Sequence, residues 1–178
     1  MKPFLNDAEI KASEFGVNHL CTFIEKDIKK YADVKHYYDI VILASLGNVL
    51  GSLKNSAAKL RSQVKSNGYI IIDDGYLKDK ILKAGKGYEH YKNYDESVKD
   101  LTAFGDRILY EIDTNEISSK INYEFLELIR KRGNELILSN PGMAKEINNY
   151  IKTQEDECHI ISSRVNGILW VVQKNETG

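Results

Sequence analysis

The sequence predicts an α/β fold, a single domain over residues 1–178 with a mostly parallel sheet. Three observations carry that reading. Tyr38-Asp39-Ile40-Val41-Ile42-Leu43-Ala44 and Tyr69-Ile70-Ile71-Ile72 are apolar runs without alternation, the pattern of strands buried on both faces of a parallel sheet. Between them Leu53, Ala57, Leu60 and Val64 fall at helical spacing. Strand, helix and strand in so short a stretch form a βαβ unit, whose crossover is right-handed.

The other elements follow in order. Leu5, Ala8, Ala12 and Phe15 mark an amino-terminal helix, with Gly16 in the place of a C-cap glycine. Cys21 to Ile24 is a short apolar run closed by Glu25-Lys26-Asp27, read as a strand. Ser45 to Ser52 is a loop holding Gly47 and Gly51, and Asp73-Asp74-Gly75 closes the Tyr69–Ile72 strand. Residues 78–106 form a polar, tyrosine-rich cover, with Tyr88, Tyr91 and Tyr94 around His90. Arg107 to Ile112 is a third strand. Residues 115–165 are helical: Ile121, Phe125, Leu128 and Ile129 mark one helix, and Ser139-Asn140-Pro141 starts the next. Gly167 ends that stripe, and Ile168-Leu169-Trp170-Val171-Val172 is a terminal strand.

Composition narrows the function. With 42% hydrophobic residues the chain can fill a core. Its 25 basic and 26 acidic residues leave a formal net charge of -1, which gives no general attraction to nucleic acid or an anionic membrane. Cys21 and Cys158 supply no disulfide framework, and the neighbouring His19 and His159 lack zinc-site spacing. No apolar run reaches the roughly 18 residues of a membrane span, and the start has no signal-peptide core, so the cytoplasm is expected.

Helix, acid-ended strand, Tyr-Asp-Ile-Val-Ile strand, helix and Asn-Gly-Tyr-Ile-Ile-Ile strand, in that order, resemble the class I S-adenosylmethionine-dependent methyltransferases. The resemblance covers nearly the whole chain and is best from Leu5 to Tyr76. It implies a Rossmann-like sheet, mostly parallel with an antiparallel carboxyl-terminal strand and a helical insertion. It also implies S-adenosylmethionine as cofactor, with Asp27 and Ile28 beside the adenine and Ala44, Ser45 and Leu46 near the sulfonium. Asn48, Tyr76 and His90 would face the acceptor, a small molecule. Ala44 stands where metal-dependent O-methyltransferases carry an acid, so no metal is expected.

One departure is large. The family opens with a strand, a Gly-x-Gly-type turn and a second acid-ended strand, and nothing of the kind precedes Leu5. The expected fold is therefore amino-terminally truncated, with a gap of roughly 14 Å beside the Tyr38–Ala44 strand, three ladder spacings wide. Strand three moves over, another copy or a complementing chain fills the gap, or the natural start lies upstream. Asp73 and Asp74 either orient and deprotonate a nucleophile or form a turn or helix cap. Asp74 and His90 are the candidate catalytic groups, His90 because an imidazole titrates near neutrality. The competing functions are a methyltransferase, a methyltransferase-like assembly subunit that binds no cofactor alone, and an unrelated small α/β domain.

Overall fold

A computed structural model describes residues 2–79 and 88–176. The βαβ unit is present: β1 (Tyr38–Ala44) pairs in parallel with β2 (Val64–Leu77), with Ile40 opposite Tyr69 and Leu43 opposite Ile72. Their connection is α3 (Leu53–Arg61), which follows α1 (Lys2–Glu14) and α2 (Ile28–Ala32) in the chain. Ser52 caps α3, its hydroxyl accepting from the Asn55 amide at 3.3 Å, which satisfies one orphan donor of the first turn. Gly16 takes φ 69° after α1, the left-handed conformation expected of a helix-ending glycine.

Beyond β2 come α4 (Tyr94–Leu101), β3 (Arg107–Asp113), α5 (Asn115–Ser139), α6 (Ala144–Arg164) and β4 (Val165–Gln173). The sheet order is β1-β2-β4-β3. β4 is antiparallel to both neighbours, so β1, β2 and β3 share one direction, as expected of a mostly parallel sheet with one reversed strand. Among the described residues two 3-10 turns, Asn18–Leu20 and Pro141–Met143, complete the regular structure.

Registry sorts side chains onto two faces. One carries Leu43, Ile70, Ile72, Ile168, Trp170 and Val172, all buried against Ala57 and Leu60 of α3 and Leu101 of α4. The other carries Ile40, Ile42, Ile71, Val171, Tyr110 and Ile112 in register across all four strands. It stays open to solvent, with Ile42 64% and Tyr110 66% exposed. The apolar runs that suggested burial on both faces are thus buried on only one in this chain.

Three further expectations are corrected. Residues 21–27 form no strand, because an extended chain becomes one only with a ladder partner, and β1 pairs with β2 alone. Asp27 consequently ends no strand; its carboxylate caps α2, accepting from the Lys29 amide at 2.8 Å. Asp73, Asp74 and Gly75 form neither turn nor helix cap. They lie inside β2, which runs on to Leu77 because β4 pairs with it through to Val165. Gly75 makes that closeness possible: a Cβ there would lie 2.4 Å from Val165 Cγ1. Part of the tyrosine-rich cover, 80–87, lies outside the described residues; 94–101 of it is α4, capped by the Asn93 side chain.

Candidate functional site

In open α/β sheets ligands bind outside the carboxyl ends of the parallel strands. Here the chain leaves β1 at Ser45, held at φ 50°, and its hydroxyl donates to Asp73 Oδ2 at 2.9 Å. The α5–α6 hairpin rises from the same end, because β3 ends and β4 begins there. Between them lies a cavity of about 370 Å³. Its walls include Ser45, Asp73, Asp74 and His90 on the sheet side and Asn115, Ser118, Ser119, Asn122 and Ser162 on the hairpin side.

Asp74 sits low in this cavity, with the Gly75 amide on its Oδ1 at 3.0 Å and a hydrogen bond from Tyr91. Burial raises its pKa above the ordinary carboxylate value, opposed by the Tyr91 bond and by His90 nearby. Burial likewise pushes the Tyr91 phenol up, and the Asp74 carboxylate adds to the rise. The His90 ring packs 4.4 Å from the Tyr91 ring. Neither ring nitrogen of His90 is reached by solvent, and neither has a hydrogen-bond partner among the described residues. Buried donors and acceptors are nearly always satisfied, so an imidazole left so is available to something that binds.

Asp74 also gives a pH-dependent expectation. A carboxyl whose pKa is higher folded than unfolded favours the fold when protonated, and that contribution is lost as pH rises through the folded value. Asp74→Asn should therefore raise the thermal midpoint at pH 7. The gain should vanish below about pH 4, the ordinary aspartate value. Melting curves at the two pH values check this; equal midpoints at pH 7 would mean that burial is no burden on Asp74.

Of the residues picked from sequence, Ser45, Asp74 and His90 meet in this cavity. Asn48 lines a narrow adjoining recess of about 20 Å³ that shares Asp74, His90 and Tyr91. Tyr76 lies elsewhere, edge to face with Tyr94 at 5.3 Å and 6.5 Å from Trp170. Ala44 and Leu46 are exposed beside Ser45. Ile28 lines a separate open groove with Ile40 and Val41. Sequence reasoning did not single out Tyr91 as a site residue, nor the polar side of α5. Asn115, Ser118 and Asn122 do stand three and four apart, a polar stripe that was visible as such.

No family model matches the chain and no curated protein matches it in sequence. Solved structures do. A SAM-dependent methyltransferase from Geobacter sulfurreducens, in complex with S-adenosyl-L-homocysteine, superposes with TM-score 0.77 at 15% identity, covering 97% of this chain and 72% of that one. One from Thiobacillus denitrificans, with the same ligand, gives TM-score 0.76 at 12% identity and the same coverage. The chain has the class I methyltransferase fold. The fold does not by itself set the reaction: the 4+2 cyclase SpnF also matches, at TM-score 0.70 and 14% identity, over 96% of this chain and 62% of that one.

The residues present fit only part of an S-adenosylmethionine site. Ala44, Ser45 and Leu46 stand at the carboxyl end of β1, but Ile28 and Ser45 line different cavities, and the Asp27 carboxylate is engaged in capping α2. No group of three or more His, Cys, Asp or Glu able to hold a metal occurs among the described residues, and no described helix is long and apolar enough to cross a membrane.

Proposed function

We propose that this chain is the acceptor-binding part of an S-adenosylmethionine-dependent methyltransferase whose acceptor is a small molecule bearing a hydroxyl or amine. The observation that carries the reading is His90, its two ring nitrogens unpartnered in a polar cavity at the carboxyl ends of β1 and β2. A nucleophile bound there would give its proton to His90, whose ring packs against Tyr91. Methyl transfer otherwise asks mainly for orientation and exclusion of water, which the α5–α6 wall can supply. In this reading Ser45 and its neighbours face the cofactor, while Asn48 and His90 face the acceptor. The protein works in the cytoplasm on a small molecule, uses no metal, and has no nucleic-acid partner, in keeping with its balanced charge.

A second reading, an assembly subunit that binds no cofactor alone, is favoured by the split between the Ile28 groove and the Ser45 cavity. Calorimetry and NMR separate the two. S-adenosylmethionine titrated into the isolated chain should bind in the millimolar range or not at all, because the described residues close no single cofactor pocket. Micromolar binding would show that this partial-site account is wrong. Small alcohols and amines titrated against the isolated chain should shift the His90 ring resonances. If none of them moves those resonances, the acceptor reading is lost and the assembly-subunit reading stands.

A further inference from the structure

The cavity under the α5–α6 hairpin has an uneven charge. Asp73 and Asp74 follow one another in its sheet wall, and among the described residues neither takes part in a salt bridge. Asp73 accepts from the Ser45 hydroxyl, and Asp74 from the Gly75 amide and the Tyr91 phenol, all neutral donors. Lys78 also lines the cavity, but its Nζ donates to the Ser162 carbonyl at 2.7 Å. His90 makes no hydrogen bond to either carboxylate among the described residues. Two neighbouring carboxylates thus lack a bonded counter-charge. The opposite wall, Asn115, Ser118, Ser119 and Asn122 of α5, is polar and uncharged. Tyr88 and Tyr91 add two near-parallel rings with centroids 6.1 Å apart.

Charge and chemistry select the ligand. An anion would meet two carboxylates at close range, and a purely apolar body would desolvate them without return. A neutral alcohol can hydrogen-bond there but leaves the charge uncompensated. A small organic cation compensates it, and aromatic faces attract such a cation as well. Burial already works against the charged form of Asp74, and a cation alongside would favour that form. The cation must also become a nucleophile, so it has to carry a proton that it can lose. The two unpartnered ring nitrogens of His90, buried in the same cavity, can take that proton.

We infer that the acceptor is a primary or secondary amine, held as its ammonium ion by Asp73 and Asp74, on a small body whose hydroxyls meet the α5 wall. This rests on the methyltransferase reading and narrows it from a hydroxyl or amine to the amine. The proton step balances simply: one N–H proton passes to a ring nitrogen of neutral His90. It leaves the neutral amine with its lone pair free, and an imidazolium that carries the positive charge. The carboxylates that held the ammonium then face the imidazolium, so the cavity keeps its compensating charge through the transfer.

Serinol and glycerol test this, because they differ only in bearing an ammonium or a hydroxyl on the central carbon. Each is titrated into the chain at neutral pH and followed by the His90 ring resonances and the Ser118 and Asn122 amides in NMR spectra. Serinol should bind at least roughly tenfold more tightly than glycerol, the scale of one charge-assisted hydrogen bond. Asp74→Asn and Asp73→Asn, each checked as folded by its melting curve, should reduce that preference. Ser118→Ala, on the uncharged wall, should weaken both ligands alike. Equal affinities, or tighter binding of glycerol, overturn the amine inference and leave the acceptor reading standing with a hydroxyl substrate. A serinol preference that survives both aspartate substitutions also overturns it, since the carboxylates then do not recognise the ammonium. If neither ligand moves any of these resonances, the inference and the acceptor reading fall together.

Discussion

Trp170→Ala is expected to cost about 3–5 kcal/mol, the range for truncating a large buried aromatic residue. Trp170 is fully buried, opposite Ile72 on β2 and Glu111 on β3, so it touches both halves of the sheet. Its Nε1–H donates to Glu111 Oε1 at 3.0 Å, and Glu111 also accepts from the Tyr94 hydroxyl at 2.8 Å. Removing the indole opens a cavity and withdraws the donor that ties β4 to β3. Domains have only about 5–15 kcal/mol of stability, and this one leaves an apolar face uncovered, so the variant should be largely unfolded at 37 °C. Urea denaturation followed by circular dichroism measures it, the fluorescence reporter being lost with the chain's one tryptophan. Trp170→Phe, which keeps most of the volume, should lose clearly less. A loss below about 1.5 kcal/mol for the alanine variant would mean that the sheet collapses around the site.

Asp106→Ala is the second large effect. The Asp106 side chain is 1% exposed, and Arg61 Nε lies 2.9 and 3.0 Å from its two carboxylate oxygens. The Asn175 amide adds a third contact at 2.9 Å. This cluster joins the end of α3 to the start of β3 and the chain just after β4. Removing one partner of a buried pair strands the other charge, at about 3–5 kcal/mol. Lys174 sharpens the expectation. Burial and the neighbouring Arg61 already lower its ammonium pKa, and Asp106 works against that lowering. Without Asp106 two cations face each other with less compensation. Asp106→Asn should be milder, because it keeps an acceptor for the Asn175 amide. Chemical denaturation of both variants decides the point, and equal losses would mean that the lost charge carries the effect and the retained acceptor contributes little.

Much of this fold is local chemistry and was legible for that reason. The β-branched run from Ile40 to Ile42 and Gly16 each follow from the period or conformation of one element and are found where the sequence puts them. Of the helical stripe, Leu53, Ala57 and Leu60 lie in α3, whereas Val64 is the first residue of β2. The right-handed parallel pairing of β1 and β2 follows from chirality and also needed no structure. Polar signals were less secure, because an aspartate at the end of an apolar run reads alike as a strand end, a turn and a helix cap. Asp27 proved a cap and Asp73 and Asp74 proved strand residues, and the deciding groups were the Lys29 amide and β4, one near in sequence and one remote.

What only the tertiary structure decided was pairing and facing. Whether residues 21–27 form a strand depends on a ladder partner, and whether Ile42 is core depends on what crosses the sheet, neither being a property of the residues themselves. The candidate site is of the same kind. His90 was visible as a titratable residue in a tyrosine-rich stretch, but its two unpartnered nitrogens exist only because Gly47, Asp74 and Tyr91 close around it. The polar stripe of α5 becomes a cavity wall only because β3 and β4 bring the α5–α6 hairpin to the carboxyl end of β2. Sequence sets the period and propensity of each segment; burial and hydrogen-bond satisfaction, which join residues far apart in the chain, set which of those segments meet.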